Sequence, residues 1–394
     1  MSLPLSNIRV LDFGRYIAGP YAAMMLADFG ADVIRIERRD GGEDRTLGPV
    51  TDSGEGGLFL NLNRNKRGMT LDPGHARAGE VLAPLVKSAD IVVANLPVGV
   101  LLKIGLDYDS LRAIKPDIIL VMPSAFGPDG PYRDRIGFDG VAQAMSGAMT
   151  LTGLPEMPMR SVVSWVDYGT ALHAAFGAMA ALLHRQQTGE GQAVDVSLLT
   201  TSATFMTPFL MERQLTGTQR QGQGNAAFYT APSDAYQTRD GWILVPTIGN
   251  PMFRRWARLV GREDLIDDPR CRDDIARGDN YHLIGEAMNA WCSTRTSAEA
   301  LAELEAARVP CGPVNDLDEL LADPQVQARG IFEDVAFAGH STPLPLAGPP
   351  VRLSASPGSV RRPPPRLSEH TDEVLGELGF DADAVAMLRT EGVV

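Results

Sequence analysis

The sequence contains few of the residues that build disulfide frameworks or metal sites. It has three cysteines, Cys271, Cys292 and Cys311, and six histidines. The cysteines form no CxxC pair, and the histidines add no metal-ligand spacing to them. An odd and sparse set of cysteines is typical of reduced thiols in a cytoplasm. We therefore expect a cytoplasmic protein with no metal site.

The chain also lacks an excess of positive charge and a long apolar run. Its 36 Lys and Arg against 49 Asp and Glu give a formal net charge of -13. Nucleic-acid binding needs a clustered positive field, so we expect no nucleic-acid partner. The sequence contains no run of the roughly 20 apolar residues that span a bilayer. Its beginning, MSLPLSNIRVLDF, has no basic region followed by an apolar stretch. These features predict no membrane partner.

Phosphate-loop motifs are absent as well. No GxGxxG follows the first predicted strand, and GxxxxGK[ST] occurs nowhere. The nearest glycine-containing stretch begins at Gly222 and lies outside any predicted strand–turn–helix unit. These absences argue against an NAD-dependent oxidoreductase and against a P-loop enzyme.

The first half of the chain alternates between two kinds of segment. Short runs rich in branched residues predict strands, and they are separated by segments with helical spacing. These strands cover 8–13, 32–37, 90–95 and 117–123. Such alternation is typical of a parallel sheet covered on both faces, which is a Rossmann-like α/β fold. A long, mostly apolar helix is predicted over 167–188.

A length of 394 residues exceeds the usual size of one domain. The sequence changes character near Gln219, and Asp240-Gly241 marks the turn of a β-hairpin. We predict a large Rossmann-like domain from 1–215 and 330–394, with a smaller inserted α+β domain at 220–329.

The first 70 residues carry a local basic cluster inside this acidic chain. Its members are Arg35, Arg38, Arg39, Arg45, Arg64, Lys66 and Arg67. A solvated surface and a binding site for a small anion both explain such a cluster. Gly19-Pro20, at the start of the first helix, is compatible with exposed backbone amides or with simple helix initiation.

Several longer motifs carry a family resemblance. They include LDFGRYIAGPYAAMMLADFG, LNRNKRGMTLD, SAFGPDGPY, GFDGVAQAMSG and VDYGTALHAAFGAMAALLHRQQTGEG. In order and spacing, the chain resembles the class III CoA-transferases nearly end to end. That group includes formyl-CoA:oxalate and L-carnitine CoA-transferases and the α-methylacyl-CoA racemases. The resemblance implies an interlocked homodimer that uses acyl-CoA and a small carboxylic acid as substrates, with no permanently bound cofactor.

The resemblance also implies which residues bind coenzyme A. Cationic side chains would hold the phosphates by charge-assisted hydrogen bonds; these are Arg38, Lys66, Arg67 and Lys103. The pantetheine arm would pass Tyr16, Ile17 and Ala18, and the adenosine would lie beside Asn95 and Leu96.

Asp167 is the expected nucleophile, because the family has an aspartate at the corresponding start of the long helix. Asp is also a favoured helix N-cap, so a structural role is the alternative. As a nucleophile, Asp167 would attack the donor thioester to form an aspartyl–acyl anhydride. The released CoA thiolate would then form an aspartyl-CoA thioester that the acceptor acid opens.

The substrate pocket is expected to contain Arg15, Phe138 and Gln143, and Arg160 is a further candidate for a substrate carboxylate. Racemases of this group use a histidine in a G-H-D context, whereas this chain has Gly137-Phe138-Asp139. Because phenylalanine cannot accept a proton, the sequence favours transfer over racemisation. An acid with an apolar portion, or a dicarboxylic acid, is the expected substrate. A racemase-like enzyme and a non-catalytic CoA-binding protein are the alternatives.

Overall fold

The structure is a computed structural model that describes residues 3–337 and 340–394. The chain forms two compact units. The first unit contains the segment that ends at Ser146, then Ser161–Thr207 and Gln325–Val394. The second unit contains Gly147–Arg160 and Pro208–Pro324.

The strands of the described residues are, in chain order, β1 (Arg9–Asp12), β2 (Asp32–Glu37), β3 (Lys66–Thr70), β4 (Ile91–Val93), β5 (Ile119–Ser124), β6 (Gly153–Leu154), β7 (Met157–Pro158), β8 (Ala193–Ser197), β9 (Ser233–Gln237), β10 (Trp242–Pro246), β11 (Gly312–Pro313), β12 (Phe332–Val335) and β13 (Leu344–Ala347).

The α-helices of the same residues are α1 (Ala18–Asp28), α2 (Gly57–Leu62), α3 (Ala78–Ser88), α4 (Val98–Ile104), α5 (Tyr108–Ile114), α6 (Asp139–Met145), α7 (Ala148–Leu151), α8 (Trp165–Thr188), α9 (Leu198–Phe205), α10 (Thr207–Thr216), α11 (Asn250–Leu259), α12 (Asp274–Asp279), α13 (Tyr281–Cys292), α14 (Ser297–Ala306), α15 (Leu317–Ala322), α16 (Pro324–Arg329), α17 (Thr371–Glu377) and α18 (Ala382–Glu391).

A six-stranded sheet in the order β3-β2-β1-β4-β5-β8 forms the centre of the first unit. All of its strand pairs are parallel. The predicted α/β fold with a Rossmann-like parallel sheet is therefore confirmed. The strand order reverses at β1, which pairs with β2 on one side and with β4 on the other. In open α/β sheets, ligands bind at such a reversal, beyond the carboxyl ends of the strands.

Two apolar clusters cover the two faces of this sheet. One cluster joins the sheet to α3, α5 and the C-terminal helices α17 and α18. The other joins it to α1 and α8, whose contribution includes Ala171, Ala174, Ala178 and Ala181. Alanines at these positions allow α8 to approach the sheet and α1 closely.

Helix α8 is the one helix of the described residues that is long and apolar enough to cross a membrane. Eight of its residues are buried within the protein. The packing of α8 against the sheet and α1 is typical of a core helix.

The second unit contains an antiparallel sheet in the order β11-β10-β9, packed against helices around the buried Trp256. Strands β9 and β10 form the predicted hairpin, in which Thr238 N donates to Gly241 O over 2.9 Å.

This unit also includes 147–160, a segment that lies within the predicted large domain of 1–215. The reason is a local pairing: Gly222 N donates to Thr150 O over 3.0 Å, and Gly153 and Gly224 form an antiparallel bridge.

Candidate functional site

Asp167 lies in the first turn of α8, which begins two residues before it at Trp165. The N-cap position belongs to Ser164, whose side chain makes no capping hydrogen bond. The alternative interpretation, in which Asp167 is the N-cap of this helix, is therefore wrong. The carboxylate of Asp167 is a side chain of the helix itself, and it is partly exposed.

The amides at the start of α8 are held by another acid. Oδ2 of Asp139 accepts hydrogen bonds from the backbone N of Val166 (2.8 Å) and of Asp167 (3.1 Å). Asp139 is buried in the first turn of α6. One turn later on this helix, Gln143 donates from Nε2 to Asp139 Oδ1, and Gln143 Oε1 accepts from Ser161 N over 2.9 Å. Asp139 therefore caps the start of α8.

This arrangement corrects the prediction for Gln143. It was expected in the substrate pocket, yet its side chain is buried and both ends of its amide are bonded within the protein. Gln143 supports Asp139 and does not line an open site.

The surroundings of Asp167, the expected nucleophile, raise the pKa of its carboxyl group. Burial, and secondly the nearby charge of Asp139, raise the pKa of Asp167 to about 7. A carboxyl whose pKa lies near neutrality is protonated in mildly acidic solution. Strongly perturbed carboxyls of this kind are characteristic of functional sites.

A sharp turn connects β1 to α1 at the carboxyl edge of the sheet. Its central residue, Tyr16, has a φ of 60°, a left-handed conformation that non-glycine residues rarely adopt. Both side-chain amide atoms of Asn95, which follows β4, bind the backbone of Arg15: N donates to Oδ1 over 2.6 Å and Nδ2 donates to O over 2.7 Å. The turn therefore lies at the strand-order reversal.

The ring of Tyr16 connects this turn to the Asp139 region. It meets the ring of Phe138 edge to face, with a centroid separation of 5.5 Å. Phe138 is more than half exposed and immediately precedes Asp139. The structure thus brings together Tyr16, Phe138 and, through Asp139, the start of α8 with Asp167.

Two predicted cations at this edge are accessible to solvent. Arg38, just after β2, has a side chain that is 47% exposed and pairs with Glu43 at 3.1 Å. Arg15 reaches the same carboxylate at 3.6 Å. Exposed ion pairs of this kind are weak and exchange readily with other anions. Both arginines are therefore free to bind an anionic ligand.

Lys66 and Arg67 were predicted to hold CoA phosphates, and their surroundings contradict this. The side chain of Lys66 is fully buried, and its Nζ donates to Asp12 Oδ2 (2.7 Å), Pro20 O (2.8 Å) and Asn63 Oδ1 (2.9 Å). Three acceptors use all three of its donors. Burial is also the main cause that lowers the pKa of Lys66 to about 8.

Arg67 is buried as well and is bonded to Asp32, Glu373 and Glu377 at 2.6–2.8 Å. Both residues stabilise the first unit.

The other predicted residues occupy varied positions. Ile17 and Ala18 are buried where α1 begins, and Leu96 packs against the core. Lys103 is exposed in the last turn of α4. Arg160 is exposed in the second unit. Asn95 was expected beside the adenosine, but its amide is used by the Tyr16 turn.

The first unit also has a cavity of about 640 Å³, lined by side chains that include Tyr21, Arg64, Tyr168 and Arg352. Asp167 does not line this cavity, although its neighbour Tyr168 does. Among residues 3–337 and 340–394, no group of three or more His, Cys, Asp or Glu side chains is arranged to hold a metal ion.

Comparisons with known proteins give one consistent result. The model of CoA-transferase family III matches residues 5–371. The succinate–glutarate CoA-transferase of Agrobacterium fabrum is 35% identical over 383 residues, which cover 95% of this chain and 96% of the relative. The succinyl-CoA–D-citramalate CoA-transferase of Chloroflexus aurantiacus is 34% identical over 400 residues, covering 99% and 98%.

A solved structure agrees with these relatives. The crystal structure of a CaiB/BaiF family protein from Brucella suis has a TM-score of 0.84 and 32% identity, and the alignment covers 96% of this chain and all of the other.

Proposed function

Because the chain belongs to CoA-transferase family III, we propose that it moves coenzyme A from an acyl-CoA donor to a carboxylic acid through a covalent intermediate on Asp167. One observation carries the role of Asp167. Its own amide and the preceding one are capped by Asp139, so its carboxylate is not needed to hold the helix. A partly exposed carboxylate with a raised pKa remains for chemistry.

The reaction proceeds by four acyl substitutions. The Asp167 carboxylate attacks the donor thioester, which gives an aspartyl–acyl anhydride and the CoA thiolate. The thiolate attacks the aspartyl carbonyl, releases the donor acid and leaves an aspartyl-CoA thioester. The acceptor carboxylate attacks this thioester, which forms a second anhydride and frees the thiolate again. Attack of the thiolate on the acceptor carbonyl yields the new acyl-CoA and restores Asp167.

The raised pKa of Asp167 suits this sequence of steps. A carboxylate of higher basicity is a better nucleophile toward the thioester. At neutral pH a substantial fraction of it is still ionised. In its ionised form, Asp167 is therefore expected to be a stronger nucleophile than an aspartate with an ordinary pKa.

We propose a dicarboxylic acid as the acceptor and succinyl-CoA as a donor. The two relatives described above are named for succinate and glutarate and for succinyl-CoA and D-citramalate. Arg15, which is partly exposed and precedes Tyr16 in the chain, provides a cation for the second carboxylate of such an acid. Arg38 provides one for a CoA phosphate.

The transferase is favoured over a racemase by Phe138. The phenyl ring occupies the position beside Asp139 and has no group that exchanges a proton. Incubation with succinyl-CoA and a panel of mono- and dicarboxylic acids tests the proposal, with mass detection of new CoA esters. In a second incubation, a 2-methylacyl-CoA in D₂O should take up no deuterium at its α-carbon through the enzyme. Uptake without CoA transfer would favour the racemase.

We also propose a homodimer, in which a second copy covers one face of α8. Leu172, Phe176 and Leu183 on this helix are exposed apolar side chains. Water contact with such a continuous stripe is unfavourable, and an association surface is its usual explanation. A cytoplasmic location, in which the three free cysteines stay reduced, completes the proposal.

A further inference from the structure

The turn that contains Tyr16 is held in an unusual way. Its left-handed residue is strained, and strained residues persist only where the surroundings fix them firmly. Here the backbone of 14–16 is bonded by side chains from several strand ends. Asp12 Oδ1 accepts from Gly14 N over 2.8 Å, and Asn95 binds Arg15 at both its N and O atoms.

A buried ion pair completes this set of bonds. Arg35 on β2 donates from Nη1 to Gly14 O and from Nη2 to both carboxylate oxygens of Asp44, over 3.1 and 2.9 Å. Oδ2 of Asp44 in turn accepts from Tyr16 N over 3.2 Å. The pair therefore binds the turn on both sides of Arg15.

The charges of this pair are removed from water, since each side chain is 1% exposed. Burying two charges is unfavourable unless other bonds compensate, and such pairs often add little stability. A role in fixing the shape of the neighbouring backbone accounts for the placement of this one. The Tyr16 ring that the turn presents contacts Phe138, beside the acid that holds the start of α8.

We infer that Arg35 and Asp44 are positioning residues for acyl-CoA. They touch no substrate, but they hold the Tyr16 turn in its left-handed shape at the strand-order reversal, where open α/β sheets bind their ligands. This inference rests on the proposed function, because that proposal assigns Arg38 to a CoA phosphate and Arg15 to the acid, and both lie at the same edge of the sheet as the turn. When the pair is broken, the turn relaxes, and each binding event must order it again. Affinity for CoA then falls, while the chemistry at Asp167 is little changed once the site is saturated.

The chain offers a matched control. Asp28 and Arg64 form another buried pair in the same unit, with a distance of 2.7 Å and 2% exposure of each side chain. This pair does not bond the Tyr16 turn. Asp44→Ala and Asp28→Ala therefore remove the same group from similar surroundings. Arg35→Lys and Arg64→Lys each keep the charge but lose the planar fork that binds two partners at once.

The experiment measures CoA binding by calorimetry without any acceptor acid, together with thermal unfolding and steady-state kinetics. We expect Asp44→Ala and Arg35→Lys to raise the Kd for CoA about tenfold, the factor that corresponds to one lost hydrogen bond. Their kcat should stay within about threefold of wild type. The two control variants should lower the melting temperature to a similar degree and leave Kd unchanged.

The possible results distinguish the positioning role of Arg35 and Asp44 from the proposed CoA transfer. If Asp44→Ala does not fold, Arg35→Lys decides. An unchanged Kd in the positioning variants, or an equal rise in the controls, would overturn the role of the pair. Wild-type protein that binds CoA but transfers it to no acid would contradict the proposed function and leave the positioning role standing. Wild-type protein that does not bind CoA would overturn both.

Discussion

The backbone amide of Asp167 donates a 3.1 Å hydrogen bond to the carboxylate of Asp139. This bond joins two acids of different roles. Asp139 is buried, caps α8 and is itself held by Gln143. Asp167 is left with its carboxylate unoccupied by capping and with a raised pKa. Asp139 therefore supports the helix, and the proposed mechanism assigns the reaction to Asp167.

The first prediction concerns pH. In the proposed mechanism Asp167 attacks only when ionised, and its pKa is raised to about 7. The value of kcat/KM for acyl-CoA should therefore fall about tenfold per pH unit below that pKa and level off above it. Since the folded protein binds this proton more tightly than the unfolded chain does, the contribution of Asp167 to stability decreases as pH rises from about 4 to about 7. A pH–rate profile checks the predicted fall of kcat/KM, and a flat profile down to pH 5 would contradict it.

Asp139→Asn tests the cause of that pKa. The variant keeps an oxygen that accepts the two amides but removes a negative charge near Asp167. The acid limb of the profile should move to lower pH. The pKa of Asp167 should still stay above its ordinary value, because burial is the larger cause of the raised pKa. The exposed Asp134→Asn is the control and should leave the limb in place. A limb that stays where it is in Asp139→Asn would exclude the charge effect.

Arg38 gives a prediction about the affinity for acyl-CoA. Its exposed guanidinium should bind a CoA phosphate by charge-assisted hydrogen bonds worth roughly 1.5–3 kcal/mol. Arg38→Ala should therefore raise the KM for acyl-CoA by roughly 10- to 150-fold and change the KM for the acceptor acid little. The neighbouring exposed Arg39→Ala serves as the control. Equal effects of the two variants would remove Arg38 from the site.

Lys66 gives a prediction about stability. Because its ammonium is buried against Asp12, Lys66→Ala removes the nearest cation from a buried carboxylate, which keeps only the more distant Arg35 at 3.9 Å. Breaking such a pair costs about 3–5 kcal/mol of unfolding free energy. Urea titration followed by circular dichroism measures this loss. Lys103→Ala, at an exposed position, should change stability by less than about 0.5 kcal/mol. A stable Lys66→Ala protein with weak CoA binding would restore the original phosphate role.

The proposed dimer depends on the apolar face of α8. Phe176 is 76% exposed there. Phe176→Glu should place a charge in the interface and give a monomer at micromolar concentration, as measured by light scattering. Thr188→Glu adds the same charge at an exposed polar position at the end of α8, on the side away from Leu172, Phe176 and Leu183, and should remain a dimer. A wild-type protein that is monomeric would contradict the proposal.

The main features of the fold could be predicted from the sequence because their signals are local. The branched runs at 8–13 and 32–37 correspond to β1 and β2, and Asp240-Gly241 lies in the β9–β10 connection. The apolar helix containing Asp167 was predicted within two residues of its start. Periodicity and turn chemistry determine such elements with little help from distant residues.

The site could be predicted only in part, because its organisation depends on contacts that are distant in sequence. The basic run around Lys66 and Arg67 has the same pattern whether it is exposed or buried. What decides between the two are carboxylates such as Asp12 and Glu377, which lie far away in the chain. Asp139 was visible in the motif beside Phe138, but no local signal shows that it caps a helix 27 residues later. The same holds for Asp44 and the Tyr16 turn.

The most direct test of the account is a mass measurement on Asp167 itself. Protein incubated with succinyl-CoA alone should gain mass on the peptide that contains Val166-Asp167-Tyr168, and hydroxylamine should remove the adduct, because anhydrides and thioesters react with it readily. Asp167→Asn should fold normally, since Asp139 caps the helix. It should form no adduct and lose nearly all turnover. An unmodified peptide in active wild-type enzyme, or wild-type activity in Asp167→Asn shown not to have deamidated, would contradict the covalent mechanism.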